Sequence, residues 1–91
     1  MKALAVCGFG VGSSMILKMS LEKAFRELGI SGEVENTDIN DARGTQADVI
    51  FTSHELAEEL RSSVNIPVYS VKRYMDIAEV KAAVEKYMSE R

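Results

Sequence analysis

Ala3-Leu4-Ala5-Val6-Cys7-Gly8-Phe9-Gly10-Val11-Gly12-Ser13-Ser14 reads as a strand, a glycine turn and the start of a helix. The run Ala3 to Val6 is apolar throughout, as expected of a strand buried on both faces of a parallel sheet, and Cys7 stands at its carboxyl end. Gly8, Gly10 and Gly12 let the backbone turn through positive φ and bring N–H groups close to a ligand. The helix that follows, with Ser13 or Ser14 as its cap, adds unsatisfied donors and the positive end of its dipole. Phe9 and Val11 occupy the intervening loop positions. Such a turn holds an anion, and a phosphate-like anion there would meet the Cys7 thiol as a nucleophile.

Working outward, Leu21, Ala24, Phe25 and Leu28 recur at helical spacing and extend a stripe begun by Met15, Ile16 and Met19. Gly29 ends that helix as a left-handed cap, with the apolar Ile30 just beyond. Glu33 to Thr37 is a weak, polar strand suited to a sheet edge. A polar connection through Asn40, Asp41, Arg43 and Gly44 leads to a second buried strand, Ala47 to Phe51. Thr52-Ser53-His54-Glu55 has capping-box spacing, with Thr52 at the cap, before a short helix with Leu56, Ala57 and Leu60 inward. Pro67 opens a last strand, Val68 to Val71, where its missing N–H is tolerated. Asp76 and Glu79 form another capping box before a helix with Ile77, Val80, Val84, Tyr87 and Met88 on one face.

A strand regularly followed by a helix or a helix-length loop predicts right-handed crossovers and a parallel sheet. The fold class is therefore α/β, a four-stranded parallel sheet of order 2-1-3-4 in a three-layer sandwich with helices on both faces. In that topology ligands belong at the carboxyl ends of the strands, beside the switch point where Cys7 lies. The 91 residues make one domain, 1–91, which buries roughly 60–65% of the unfolded chain's surface.

Composition removes several function classes. Eleven basic against fourteen acidic side chains leave a net charge of −3, and no basic stripe answers a run of nucleic-acid phosphates. A single Cys forms no internal disulfide, which fits a reducing, cytoplasmic setting. No apolar run is long enough for a membrane span, so any membrane role comes through a partner rather than by insertion. No set of ligand side chains has metal-site spacing.

An unperturbed thiol, with a pKa of about 8.5, is only about 3% ionised at neutral pH. The loop amides and the helix N-terminus are expected to lower that value and to stabilise the charge of a transferring phosphoryl group, with the Ser13 and Ser14 hydroxyls adding hydrogen bonds. Other anion loops fit less well. The glycines read G-x-G-x-G rather than the G-x-G-x-x-G of a dinucleotide fold, and Val11-Gly12-Ser13 lacks the Lys of a nucleoside-triphosphate loop. Phe51-Thr52 ends a strand where a receiver-type module would need a phosphorylatable Asp. A low-molecular-weight thiol phosphatase shares the strand, cysteine and loop, but its Arg, six positions after the nucleophile, is Ser13 here. Without that clamp hydrolysis slows and a phosphocysteine persists, as a relay requires. Phosphocarrier, thiol phosphatase and non-catalytic anion- or nucleotide-binding module all remain open at this point.

Ala5-Val6-Cys7-Gly8, Gly10, Gly12-Ser13-Ser14-Met15-Ile16 and Lys18-Met19 resemble the start of an ascorbate-type IIB component of the bacterial sugar phosphotransferase system, and the layout agrees along nearly the whole chain. The resemblance implies a phosphotyrosine-phosphatase or flavodoxin-like fold and a cytoplasmic phosphotransferase without a cofactor. It implies that Cys7 accepts a phosphoryl group from a phosphohistidine on a IIA partner and passes it to a sugar, ascorbate or a related carbohydrate, held by a membrane IIC transporter. Gly8, Phe9, Gly10, Val11, Gly12, Ser13 and Ser14 would cradle the phosphate. Phe9 and Val11 stand where ascorbate-type members carry polar residues, and lactose and galactitol types share the cysteine.

Three further residues are candidates for partner contact. His54 begins the second helix at the edge that carries Cys7, where a polar residue is also ordinary helix-start decoration. Lys72 and Arg73 follow the last strand at that edge and suit an acidic, phosphorylated face, though such pairs are commonly just solvated. For Met15, Ile16 and Met19, core packing is the default and a docking surface the alternative.

Overall fold

The computed structural model describes residues 1–7 and 11–91, with side chains from residue 14 onward in the first helix. Four strands, β1 (Lys2–Val6), β2 (Glu33–Thr37), β3 (Val49–Thr52) and β4 (Val68–Ser70), pair in parallel in the order β2-β1-β3-β4. The helices are α1 (Val11–Leu28), α2 (Ile39–Ala42), α3 (His54–Arg61) and α4 (Ile77–Glu90). The expected sheet order and parallel sense are both found. The polar β2 and the short β4 lie at the edges.

Period-two alternation on β1 divides the core. Ala3, Ala5 and Cys7 face α1 and α4, packing with Leu17, Leu21, Phe25, Val80 and Val84. Leu4 and Val6 face the other way, against Ala42, Ala57 and Leu60 from α2 and α3. A strand covered on both faces must be apolar at every position, and Ala3 to Val6 have no exposed surface. Each buried Leu or Val contributes about 1.5–3 kcal/mol relative to exposure, which fixes the register of β1 and the position of the residue after it.

Gly29 closes α1 as read from the sequence. Its φ of 71° lets Ile30 N–H donate to the Phe25 carbonyl at 2.9 Å and Gly29 N–H to that of Arg26 at 3.3 Å, the paired bonds of a Schellman cap. Pro67 precedes β4, and its carbonyl accepts from Ile50 N–H at 3.0 Å, so the residue that cannot donate still joins the ladder as an acceptor.

Several local expectations are corrected. α1 starts at Val11, so Ser13 and Ser14 lie inside the helix instead of capping it. Its inward stripe runs through Ser14, Leu17, Ser20, Leu21, Ala24 and Phe25, while Met15, Ile16 and Met19 project outward at 41%, 42% and 61% exposure. At 100° per residue, Met15 and Met19 lie nearly opposite Leu17, Leu21 and Ala24, so one stripe cannot hold both sets. The cap of α3 is Ser53, one residue later than expected, because Thr52 completes β3. The polar connection after β2 contains the short α2, whose cap Asp38 accepts from Asp41 N–H at 2.8 Å and which buries Ala42. Asp76 caps α4 as expected, but Glu79 reaches past it to the N–H groups of Lys72 and Arg73, at 2.6 and 3.0 Å. No described helix is long and apolar enough to cross a membrane.

Candidate functional site at the carboxyl end of the sheet

Cys7 directly follows β1 and is only 3% exposed. The strand end beneath it is held across the sheet, because the buried Thr52 hydroxyl donates to the Val6 carbonyl at 2.8 Å. Four residues beyond the thiol, α1 begins at Val11 and runs to Leu28, and its first-turn amides have no acceptor within the helix. The N-terminus of this long helix therefore lies at the cysteine end of the sheet, with its positive dipole end available to an anion.

The predicted cradle divides into parts. Gly8, Phe9 and Gly10 lie outside the described residues. Val11, Gly12 and Ser13 form the first turn of α1. Ser14 is buried, and its Oγ accepts from Asn36 Nδ2 at 3.3 Å, which joins the start of α1 to the end of β2.

Tyr74, which the sequence did not single out, lies near the thiol. It lies in the 71–76 loop between β4 and α4 and packs against the core cluster that contains Cys7. Its carbonyl is fixed from α1 by the buried Ser20, whose Oγ donates to it at 2.5 Å. The Glu79 carboxylate holds the preceding turn through the Lys72 and Arg73 amides. The one signal available beforehand was position: the loop follows the carboxyl end of a strand, where the topology converges on Cys7.

Burial pushes the Cys7 thiol above its ordinary value, and the Tyr74 hydrogen bond opposes that rise. The expected lowering of the thiol is therefore not found: desolvation outweighs the donor. Tyr74 itself is pushed up to about 12, first by burial and then by its bond to Cys7, with Glu55 adding to the effect. The phenol therefore keeps its proton throughout the physiological range.

The other candidates stand apart from the thiol. His54 is the exposed first residue of α3, next to Ser53, and no described residue hydrogen-bonds its ring. Lys72 and Arg73 lie at the same end of the sheet as Cys7, but the Arg73 guanidinium faces Glu79 at 3.8 Å and Asp76 at 3.9 Å. Met15, Ile16, Met19 and the 78% exposed Met75 place large apolar side chains on α1 and on the Tyr74 loop. A cleft of about 580 Å³ lined by Lys2, Arg43, Asp48 and Asn65 lies at the opposite, amino end of the strands and has no part in this chemistry.

Residues 2–86 match the family described as the PTS system lactose/cellobiose-specific IIB subunit. Among curated proteins, the ascorbate-specific PTS EIIB component of Mycoplasma pneumoniae is 33% identical over 87 residues, covering 93% of this chain and 92% of its own length. The protein of the same name from Escherichia coli O157:H7 is 31% identical over 80 residues, covering 86% and 79%. The solved lactose-specific IIB domain of Streptococcus pneumoniae superposes with a TM-score of 0.73 over 98% of this chain and 95% of that one. At 13% identity it shares the flavodoxin-like fold alone. A family match along almost the entire chain, with relatives of the same kind at 31 and 33% identity, makes this protein a IIB component of the sugar phosphotransferase system, a phosphotransferase.

Proposed function

We propose that Cys7 is the phosphoryl carrier of this component, within a single IIB domain spanning 1–91. A IIA partner bearing a phosphohistidine donates the group, the sulfur holds it as a thiophosphate ester, and a sugar bound by a membrane IIC transporter receives it. The observation that carries this reading is the position of the chain's only thiol, buried after the central strand and four residues before the N-terminus of α1. Backbone N–H groups of the loop and of the first turn, from Gly8 to Ser14, suit the equatorial oxygens of a transferring phosphoryl group. Ser13, in place of a guanidinium, favours a persistent phosphocysteine over hydrolysis. Ascorbate is the substrate we assign, on the strength of the ascorbate-specific relatives, and the cytoplasm is the matching location for a free thiol.

The partner face follows from the same geometry. Met15, Ile16, Met19 and Met75 are exposed on the two segments that flank the thiol, and flexible, polarizable Met side chains suit a surface that must receive two different partners in turn. Lys72 and Arg73 add positive charge at its rim, and His54 lies at its α3 side. The test is incubation with phosphoenolpyruvate, the general phosphocarriers and a cognate IIA. Intact-mass measurement should show one added phosphoryl group on the wild type and none on Cys7→Ser. A label retained by Cys7→Ser refutes the assignment.

A further inference from the structure

The 71–76 loop is fastened to two helices by side chains that the transfer chemistry does not use. Resting on the relay reading above, we infer that Ser20 and Glu79 are positioning residues that hold Met75 beside Met19, so that a phosphorylated IIA meets one preformed surface instead of a helix and a free loop.

Neither residue does what its helix position suggests. Ser20 lies on the inward stripe of α1 with Leu17, Leu21 and Ala24, only 6% exposed, where an apolar side chain would fill core volume. Its Oγ instead donates to the Tyr74 carbonyl at 2.5 Å. Glu79 stands three residues after the cap Asp76, the place from which a capping-box glutamate reaches back to the cap amide. That amide donates to the Arg73 carbonyl at 3.2 Å, and the Glu79 carboxylate accepts from two successive loop amides, Lys72 N–H on one oxygen at 2.6 Å and Arg73 N–H on the other at 3.0 Å. Bonds to an ionised acceptor are the stronger kind. Apart from the Asp76 bond, the described backbone–backbone bond of the loop is that of Val71 N–H to the Thr52 carbonyl at 2.8 Å, at its start. The stretch from Lys72 to Met75 is therefore held by side chains of α1 and α4.

The Ser20 bond also decides which side chains become neighbours. Met19 precedes one end of it and Met75 follows the other, which puts their Cα atoms no more than about 12 Å apart. At 61% and 78% exposure they are the two most exposed large apolar side chains among the described residues, and Ile16 and Met15 continue the patch along α1 toward the helix end nearest Cys7. Charge and place select the occupant. The exposed Lys72 makes no ion pair among the described residues, and the N-terminus of α1 adds its positive dipole end, so the surface suits the partner that arrives carrying an anionic phosphoryl group and must bring its phosphorus to Cys7. A loop without its anchors has to be ordered at each encounter, and the apparent affinity falls with the fraction of molecules that already hold the competent arrangement.

The test is single-turnover phosphoryl uptake, read by intact mass, with the concentration of purified phospho-IIA varied. Ser20→Ala and Glu79→Ala should each raise the half-saturating concentration about tenfold, equivalent to about 1.4 kcal/mol, and leave the limiting rate within about twofold of the wild type. Glu79→Gln keeps one acceptor oxygen and should raise it only about threefold. Gly29→Ala, at the far end of α1, costs stability without touching the loop and should leave both constants unchanged, which separates positioning from mere destabilisation. On a Met75→Ala background the Glu79→Ala increment should shrink to about threefold, because part of what the anchor presents is already gone. Ser20→Ala and Glu79→Ala break different anchors, so either decides the matter if the other fails to fold. An unchanged half-saturating concentration in the folded variants overturns the positioning role and leaves the relay standing. A defect confined to delivery from phosphorylated Cys7 to the sugar overturns it as well, by giving the surface to IIC. A wild type that takes no phosphoryl group on Cys7 overturns both.

Discussion

Replacing Thr52 with Val isolates the bond that holds the end of β1. Thr52 is fully buried and its hydroxyl donates to the Val6 carbonyl at 2.8 Å across 46 residues of sequence. Valine has nearly the same shape, so no cavity opens and the ring of neighbours is undisturbed. The loss is the hydrogen bond together with a buried carbonyl short of a partner, about 1–3 kcal/mol, offset by about 0.8 kcal/mol for the extra buried methyl. A net cost of about 0.2–2.2 kcal/mol follows, which for a chain of this size lowers Tm by roughly 1–18 °C. With an m-value of about 1 kcal/mol/M, the urea midpoint falls by about 0.2–2.2 M. Thr52→Ser is the control. It keeps the donor and loses a methyl, so it should destabilise by about 1 kcal/mol through packing alone. The variants part at the site: because Val6 immediately precedes Cys7, Thr52→Val should speed alkylation of the thiol below the global midpoint, and Thr52→Ser should not. A Thr52→Val protein as stable as the wild type, or a Thr52→Ser protein whose thiol is equally loosened, refutes the reasoning.

Three further outcomes are expected. Gly29→Ala should cost about 1 kcal/mol in urea unfolding, and the cost is purely conformational because a Cβ there meets nothing within 4 Å while φ stays at 71°; a neutral substitution would count against the Schellman cap. Stability should fall as pH rises from 9.0 to about 12, because Cys7, Tyr74 and Tyr69 all hold their protons longer when folded than unfolded, Tyr69 by burial and by donating to Glu90. Their contribution is whole below the ordinary values of 9.0 and 10.0 and is lost through the raised ones, so Cys7→Ser combined with Tyr74→Phe should flatten the urea midpoint against pH, and an unflattened curve contradicts the assignment. Met19→Glu, on a side chain 61% exposed, should leave the unfolding free energy within about 0.5 kcal/mol of the wild type and yet slow phosphoryl uptake from IIA, and unaltered uptake removes Met19 from the docking face.

The sheet was legible because its signals are local and strong. Ala3 to Val6 can only be a strand covered on both faces, and the polar Glu33–Thr37 and Pro67-led Val68–Ser70 can only be its edges. The cap at Gly29 was equally plain, since a positive φ before an apolar residue has few other uses. What the pattern hid were polar residues placed for a partner distant in sequence. Ser14 and Ser20 look like the solvent face of α1, yet they point inward because Asn36 and the Tyr74 carbonyl meet them there. The methionines were assigned to the core on hydrophobicity alone, and they are displaced to the surface by that inward stripe. Thr52 and Ser53 were read as one capping box shifted by a residue, because a hydroxyl can end a strand or begin a helix equally well and only the bond to Val6 distinguishes the two.

Tyr74 shows the same limit at the site itself. Nothing in Lys72-Arg73-Tyr74-Met75-Asp76 marks an aromatic that packs on the core cluster of a thiol 67 residues earlier. The contact arises because β1 and β4 end on the same side of the sheet, one on either flank of β3, and because Ser20 and Glu79 bend the intervening loop inward.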